Sequence, residues 1–164
     1  MDNIFPKRKE NRLNGYDYSS CGAYFITVCT KNKEKLFWHN VGATCGRPDN
    51  QYELSEYGLI VQGEFESLFC AYESVRLDKY VIMPDHIHMI ICIVPDEFGR
   101  PQVAPTVSRV IQQFKGAVTK KIGFPLWQKG YYDHIIRGQQ DYDEIWQNID
   151  ENPLKWFLKK DERT

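Results

Sequence analysis

The stretch Tyr80-Val-Ile-Met-Pro-Asp-His-Ile-His-Met-Ile-Ile91 decides how this chain is built. Apolar and β-branched residues flank the turn pair Pro84-Asp85, so Val75 to Val94 reads as two strands joined by a tight bend. Side chains alternate along an extended strand, which sends His86 and His88 to one face and Ile87 and Met89 to the other. The bend puts both imidazoles near a sheet rim. Two rings so placed can share one divalent ion, and the same spacing also serves ordinary sheet histidines bonded to their neighbours.

Outward from the hairpin, the periodicities alternate. Ala23-Tyr-Phe-Ile-Thr-Val-Cys-Thr30 is aromatic and β-branched and reads as a first strand. Lys31 to Asn50, with Gly42, Gly46 and Pro48, reads as a loop with no assigned chemistry. Leu54 to Tyr72 spaces Leu54, Tyr57, Ile60, Val61, Phe65, Leu68 and Phe69 as one helical stripe, with Ser55-Glu56 at its cap. A second helix opens at Thr106 or Ser108 and runs to about Ile122, with its basic residues on the polar face. Leu126 to Arg137 contains a further strand. Asp141 to Glu151 forms a third helix that Asn152-Pro153 interrupts or ends, followed by a short helical tail in which Trp156 and Phe157 pack. The order implies an α+β, ferredoxin-like antiparallel sheet with helices packed largely on one face. Residues 1–164 read as a single domain, its C-terminal helix starting near 139.

Composition narrows the class. With 164 residues, 42% of them hydrophobic and 26% charged, the chain suits one packed domain rather than a disordered one. No apolar run reaches the roughly 20 residues a membrane helix needs, and no signal core marks the start. The five cysteines are scattered and suit reduced thiols, so a cytoplasmic protein is expected. The net charge of −1 hides an asymmetry. Between Val103 and Tyr132 lie Arg109, Lys115, Lys120, Lys121 and Lys129 with no acidic residue, interleaved with aromatic rings. That mixture suits a phosphate backbone and unstacked bases, and it also describes a solvated helix face beside core aromatics.

Four blocks in order carry a resemblance. They are Arg12-Leu13 with Tyr16-Asp-Tyr18 and Gly22-Ala-Tyr-Phe-Ile-Thr27, then Tyr80 to Ile91, then Leu126-Trp-Gln-Lys-Gly-Tyr-Tyr-Asp-His-Ile-Ile-Arg137, then Trp146-Gln-Asn-Ile-Asp-Glu-Asn-Pro153. On these the chain resembles the REP-associated branch of the single-tyrosine HUH transposases. The resemblance implies a metal-dependent transesterification on single-stranded DNA, at hairpin-forming ends, through a 5′-phosphotyrosine. It implies that His86 and His88 hold Mg²⁺ or Mn²⁺ with Asn152 as a further ligand. Asp85 would then orient a histidine or simply form the turn, and His134 would assist the site or make a structural bond. Arg12, Arg109, Lys115, Lys120, Lys121, Lys129 and Arg137 are the candidate DNA contacts. No membrane partner is implied, and a homodimer is allowed.

One position departs from the family. Its members read Tyr-Ile-x-x-Asn-Pro, whereas this chain reads Asn148-Ile-Asp-Glu-Asn-Pro153. A carboxamide has no acidic hydroxyl to activate, so the expectation is DNA binding without phosphotyrosine chemistry. Tyr142, Tyr131 and Tyr132 are the substitutes to examine. Tyr142 lies about 120° around the helix from Asn148 by the 3.6-residue repeat. The alternative function is a non-catalytic DNA-binding regulator derived from a transposase. A histidine-based nucleotide hydrolase would want a third histidine where Ile90 stands.

Overall fold

The structure, a computed structural model, describes residue 15 and residues 21–39, 52–95 and 105–161. Its elements are β1 (Gly22–Cys29), a 3-10 turn (Lys31–Lys33), α1 (Glu56–Cys70), β2 (Val75–Ile82), β3 (His86–Ile93), α2 (Val107–Ile122), β4 (Tyr132–Ile135) and α3 (Gly138–Asp161). The strands form one antiparallel sheet in the order β2-β3-β1-β4. This is the expected α+β, ferredoxin-like arrangement, in which the first and third strands are central. Arg12, the paired tyrosines Tyr16 and Tyr18, and the loop residues 40–50 lie outside the described residues.

The local signals act as read. Ser55 caps α1, its Oγ accepting from Gly58 N at 3.2 Å, and Thr106 caps α2, its Oγ1 accepting from Arg109 N at 3.3 Å. Gly123, at φ 91°, closes α2 in the left-handed conformation that a side chain would resist. β1 alternates so that Tyr24, Ile26 and Val28 are buried, and they meet Ile87, Met89 and Ile91 of β3 on one face. α1 and α2 cover that face. Phe65 of α1 stacks on Phe114 of α2 with centroids 4.7 Å apart and meets the Tyr80 ring at 4.5 Å. Burial of such rings is worth about 1.5–3 kcal/mol each.

α3 lies across the opposite face. Lys79 sits opposite Ile90 in the ladder, on the histidine side, and its ammonium pairs with Asp150 at 2.7 Å and lies 3.7 Å from the Trp146 ring centre. A register shift between Leu77 and Lys79 leaves Asp78 as a bulge residue. Its Oδ2 accepts from Cys92 Sγ at 3.0 Å and from Tyr142 OH at 3.1 Å. Val81, Ile90 and Ile149 are buried as a second, smaller apolar layer.

The expected break at Asn152-Pro153 is not observed. α3 continues through Pro153 to Asp161. An interior proline costs about 3 kcal/mol, but Trp156 and Phe157 beyond it pack on Trp38, with centroids 5.2 and 5.5 Å away. Trp38 is itself fixed by donating from Nε1 to Ile82 O at 2.7 Å. Two aromatic contacts on an anchored ring offset the lost hydrogen bond. No helix among the described residues is long and apolar enough to cross a membrane.

Gly58 makes the tightest approach. A Cβ there would strike the Phe37 carbonyl oxygen and the Leu54 side chain, and that oxygen is held by Ser55 N at 2.8 Å. Alanine gains about 1 kcal/mol of helix propensity over glycine, whereas overpacking costs about 1–3 kcal/mol. Gly58→Ala is therefore expected to lower the denaturant midpoint, and a raised midpoint would contradict the close approach.

Candidate nucleic-acid and metal site

The histidine-bearing turn is held from outside the hairpin. Pro84 O accepts from Leu36 N and Phe37 N at 2.9 and 3.1 Å, and Asp85 O accepts from Thr30 N and Thr30 Oγ1 at 2.9 and 3.0 Å. Met83 N donates to His86 O at 2.8 Å and closes the bend. Both turn carbonyls are satisfied by the chain that follows β1, so the rim carrying the histidines is braced on two sides.

Each imidazole has one nitrogen occupied and one turned inward. His86 Nδ1 faces Asp85 Oδ1 at 2.5 Å, and His88 Nδ1 faces Thr27 Oγ1 at 2.8 Å. With Nδ1–H donating in both rings, the two Nε2 lone pairs confront one another across 3.1 Å. That leaves a place for a cation. Two nitrogens 3.1 Å apart, each about 2.1 Å from one ion, subtend about 95° at it, close to the cis angle of an octahedral ion. The carboxylate behind His86 matches the arrangement that fixes tautomer and basicity in metal-bound histidines. Burial, then the His86 ring and the Lys33 ammonium, push His88 down to about 3, so its ring stays neutral at ordinary pH. Hydrogen bonding from His86 holds the Asp85 carboxyl below the usual carboxylate range. Among the described residues no three His, Cys, Asp or Glu side chains are placed to hold one ion. The remaining ligands would be amide, water or phosphate oxygens.

Around the pair the sheet register assigns each neighbour. Tyr132, Thr27, His88 and Val81 form one cross-strand row, and His134, Phe25, Ile90 and Lys79 form the next. Phe25 stacks on His88 at 5.2 Å, and the Tyr132 ring, 51% exposed, stands on the histidine face. Cys29 opposes His86, and its Sγ accepts from Lys33 Nζ at 2.9 Å. The chain before β4 joins the same end of the sheet, since Lys31 N donates to Leu126 O and Gln128 N to Cys29 O. Exposed Lys129 follows there directly.

α3 supplies the other candidate residues. Its side chains meet Asp78, Lys79 and Trp38 in chain order, from Tyr142 through Asp150 to Trp156. Asn152 is half-buried on the inward stripe with Ile145, Ile149 and Trp156. Asn148 is exposed at the edge of that stripe, its Oδ1 accepting from Lys155 Nζ at 3.2 Å. Tyr142 is tied to Asp78, and burial together with that carboxylate pushes its hydroxyl up to about 12. A phenol so held is a poor nucleophile.

The basic candidates separate. Lys115 Nζ donates to Gln128 O and Gly130 O at 2.8 and 2.9 Å, which braces the loop before β4, and Lys121 pairs with the buried Glu64. Arg109 and Lys120 are exposed on α2, on the layer away from the histidines. Arg137 lies beyond β4 at the far end of the sheet, where Ile136 N donates to Ala23 O. His134 Nε2 bonds Asp141 Oδ2 at 2.9 Å, a structural link between β4 and the start of α3. The Tyr131 and Ser108 hydroxyls lie 3.0 Å apart. Lys33, which the sequence reading left in a loop, is the cation brought beside the pair. Its only sequence signal is position, two lysines into the turn after the strand that pairs with His86-Ile87-His88.

No family model matches the chain. An uncharacterized protein of Haemophilus influenzae is 35% identical over 168 residues, covering 91% of this chain and 89% of that protein. A second Haemophilus influenzae protein, provisionally named a REP-associated tyrosine transposase, is 21% identical over 150 residues, covering 85% of this chain and 74% of that one. Among solved structures, a REP-associated tyrosine transposase bound to a REP hairpin superposes with a TM-score of 0.63 at 19% identity, covering 88% of this chain and 73% of its own. The shared fold places this sheet and helix where that transposase has its own. The chain thus shares the fold of a REP-associated tyrosine transposase and is similar in sequence to a protein provisionally given that name.

Proposed function

We propose that this protein binds single-stranded, hairpin-forming DNA at the histidine face and holds a divalent ion, Mg²⁺ or Mn²⁺, between His86 and His88, but does not cleave DNA by phosphotyrosine chemistry. The observation that carries the metal reading is the pair of Nε2 atoms 3.1 Å apart, each backed by its own hydrogen-bond partner. When bound, such an ion offsets charge on a phosphate and fixes its orientation. Asn152 would add an oxygen ligand, and Asp85 would keep His86 in its metal-binding tautomer. The DNA reading draws on the solved relative, which is bound to a REP hairpin.

Asn148 carries the inactivity. Its amide has neither a nucleophilic hydroxyl nor a proton to lose, and Tyr142 is held on Asp78. The second reading, a regulator that occupies hairpin ends without cutting them, is favoured by the same asparagine. Among the candidate cations, Lys129 is proposed for phosphate contact near the pair, while Arg109, Lys120 and Arg137 would contact only DNA that extends beyond it. Lys115 and Lys121 serve the chain's own carbonyls and Glu64.

Three outcomes test this. With Mn²⁺ and a hairpin oligonucleotide, the protein should give no covalent protein–DNA adduct on a denaturing gel, and Asn148→Tyr should give one. An adduct from the unsubstituted chain overturns the inactivity, and an Asn148→Tyr variant that binds yet never reacts favours the regulator. His88→Ala should weaken Mn²⁺ binding about 100-fold or more by calorimetry, as loss of one of two imidazole ligands requires. Lys129→Gln should reduce the slope of log affinity against log salt by about one, whereas Lys121→Gln should leave that slope unchanged.

A further inference from the structure

The turn after β1 holds two adjacent non-glycine residues in the left-handed region, Asn32 and Lys33, each at φ 56°. Such residues cost about 1–3 kcal/mol each, and the turn has no need of the Lys33 side chain to keep its shape. Lys33 N donates to Thr30 O, Glu34 N to Lys31 O, and Thr30 Oγ1 to Glu34 O at 2.8 Å, so the turn closes without the Lys33 side chain. The strained conformation instead sends the Lys33 ammonium back over β1, to 2.9 Å from Cys29 Sγ. Cys29 and His86 are direct partners in the ladder, and both project on the histidine face. A thiol is a weak acceptor for an ammonium. Lys33 is exposed and makes no ion pair among the described residues, although Asp85 and His88 lie near enough to feel its charge.

From this geometry we infer that Lys33 is a phosphate-binding residue of the histidine site, its ammonium resting on Cys29 Sγ in the free protein and moving to a non-bridging oxygen of a DNA phosphate held beside His86 and His88. The inference rests on the DNA-binding and metal-binding reading above and adds a positive group that reading did not use. A phosphodiester carries one negative charge. A single ammonium beside the ion complements that charge, and a charge-assisted bond to phosphate replaces a weak one to sulfur.

The test titrates Mn²⁺ by calorimetry and a fluorescent single-stranded oligonucleotide by anisotropy, for the unsubstituted protein and for Lys33→Gln, Lys33→Arg, Cys29→Ala and His88→Ala. Lys33→Gln should weaken oligonucleotide binding about 10-fold in Mn²⁺ and flatten its salt slope by about one, with Mn²⁺ affinity unchanged within about 2-fold. Lys33→Arg and Cys29→Ala should bind DNA within about 2-fold of the parent, because the charge remains. The inference is overturned if Lys33→Gln binds DNA as the parent does, or if Cys29→Ala loses as much, which would mark the lysine–thiol contact as structural. Mn²⁺ and DNA binding by the parent with no effect of Lys33→Gln sinks the lysine alone. A parent that binds neither sinks the functional reading and Lys33 with it.

Discussion

The antiparallel register of β1 on β3 is the constraint on which the rest depends. Thr27 opposes His88 and Cys29 opposes His86, while Ile26 and Val28 meet Met89 and Ile87. A slip of one residue would turn the imidazoles into the apolar layer and expose two fully buried side chains, Ile87 and Met89. Burying two unpaired rings costs several kcal/mol, and exposing two core residues costs about as much again, so the register is strongly specified. The Thr27–His88 bond and the Thr30 clamp on Asp85 then tie the same register to the polar side. Core and site are fixed by one set of pairings read from opposite faces.

α3 depends on that register at one remove. It reaches the histidine face only because the Asp78 bulge shifts β2, which places Lys79 and Val81 on the side of Ile90 and His88. Asp78 then receives the Tyr142 hydroxyl, and Lys79 receives both Asp150 and the Trp146 face. The exposed ion pair contributes at most about 1 kcal/mol. Burial of Ile149 and of the rings beyond Pro153 contributes more, and the polar hooks act chiefly to set where along the sheet the helix sits. Helix placement is thus specified by polar groups and stabilised by apolar ones.

The division between what the sequence revealed and what it hid follows range. The hairpin, the capped helices and the shared face of His86 and His88 rest on neighbours within a few residues, and periodicity exposes such signals directly. The passage of α3 through Pro153 depends on Trp38, more than a hundred residues away, and a proline read locally looks like an end. Lys115 and Lys121 show the same limit, because a run of cations does not disclose that two of them already serve backbone carbonyls and a buried carboxylate. Lys33 was hidden for the opposite reason. Its local sequence looks like a solvated loop, and only the pairing of Cys29 with His86 brings that loop to the site.

The surroundings of Asn148 bear on what the asparagine means. Lys155 lies about two helical turns further on, 3.2 Å from Asn148 Oδ1 and 2.9 Å from Glu151, so a cation already rests beside the position. A phenol placed there would gain a neighbour that favours its ionised form. In the open site water and Glu151 mute the effect, but bound DNA would exclude water and strengthen every charge at the surface. Under the proposed reading, a tyrosine at this position would meet a helix and a neighbouring cation already in place. A scaffold that had drifted free of its reaction would be expected to lose its ligand geometry along with its nucleophile. Here the two Nε2 atoms face each other at a distance one ion can bridge, which is the geometry the proposed metal reading rests on.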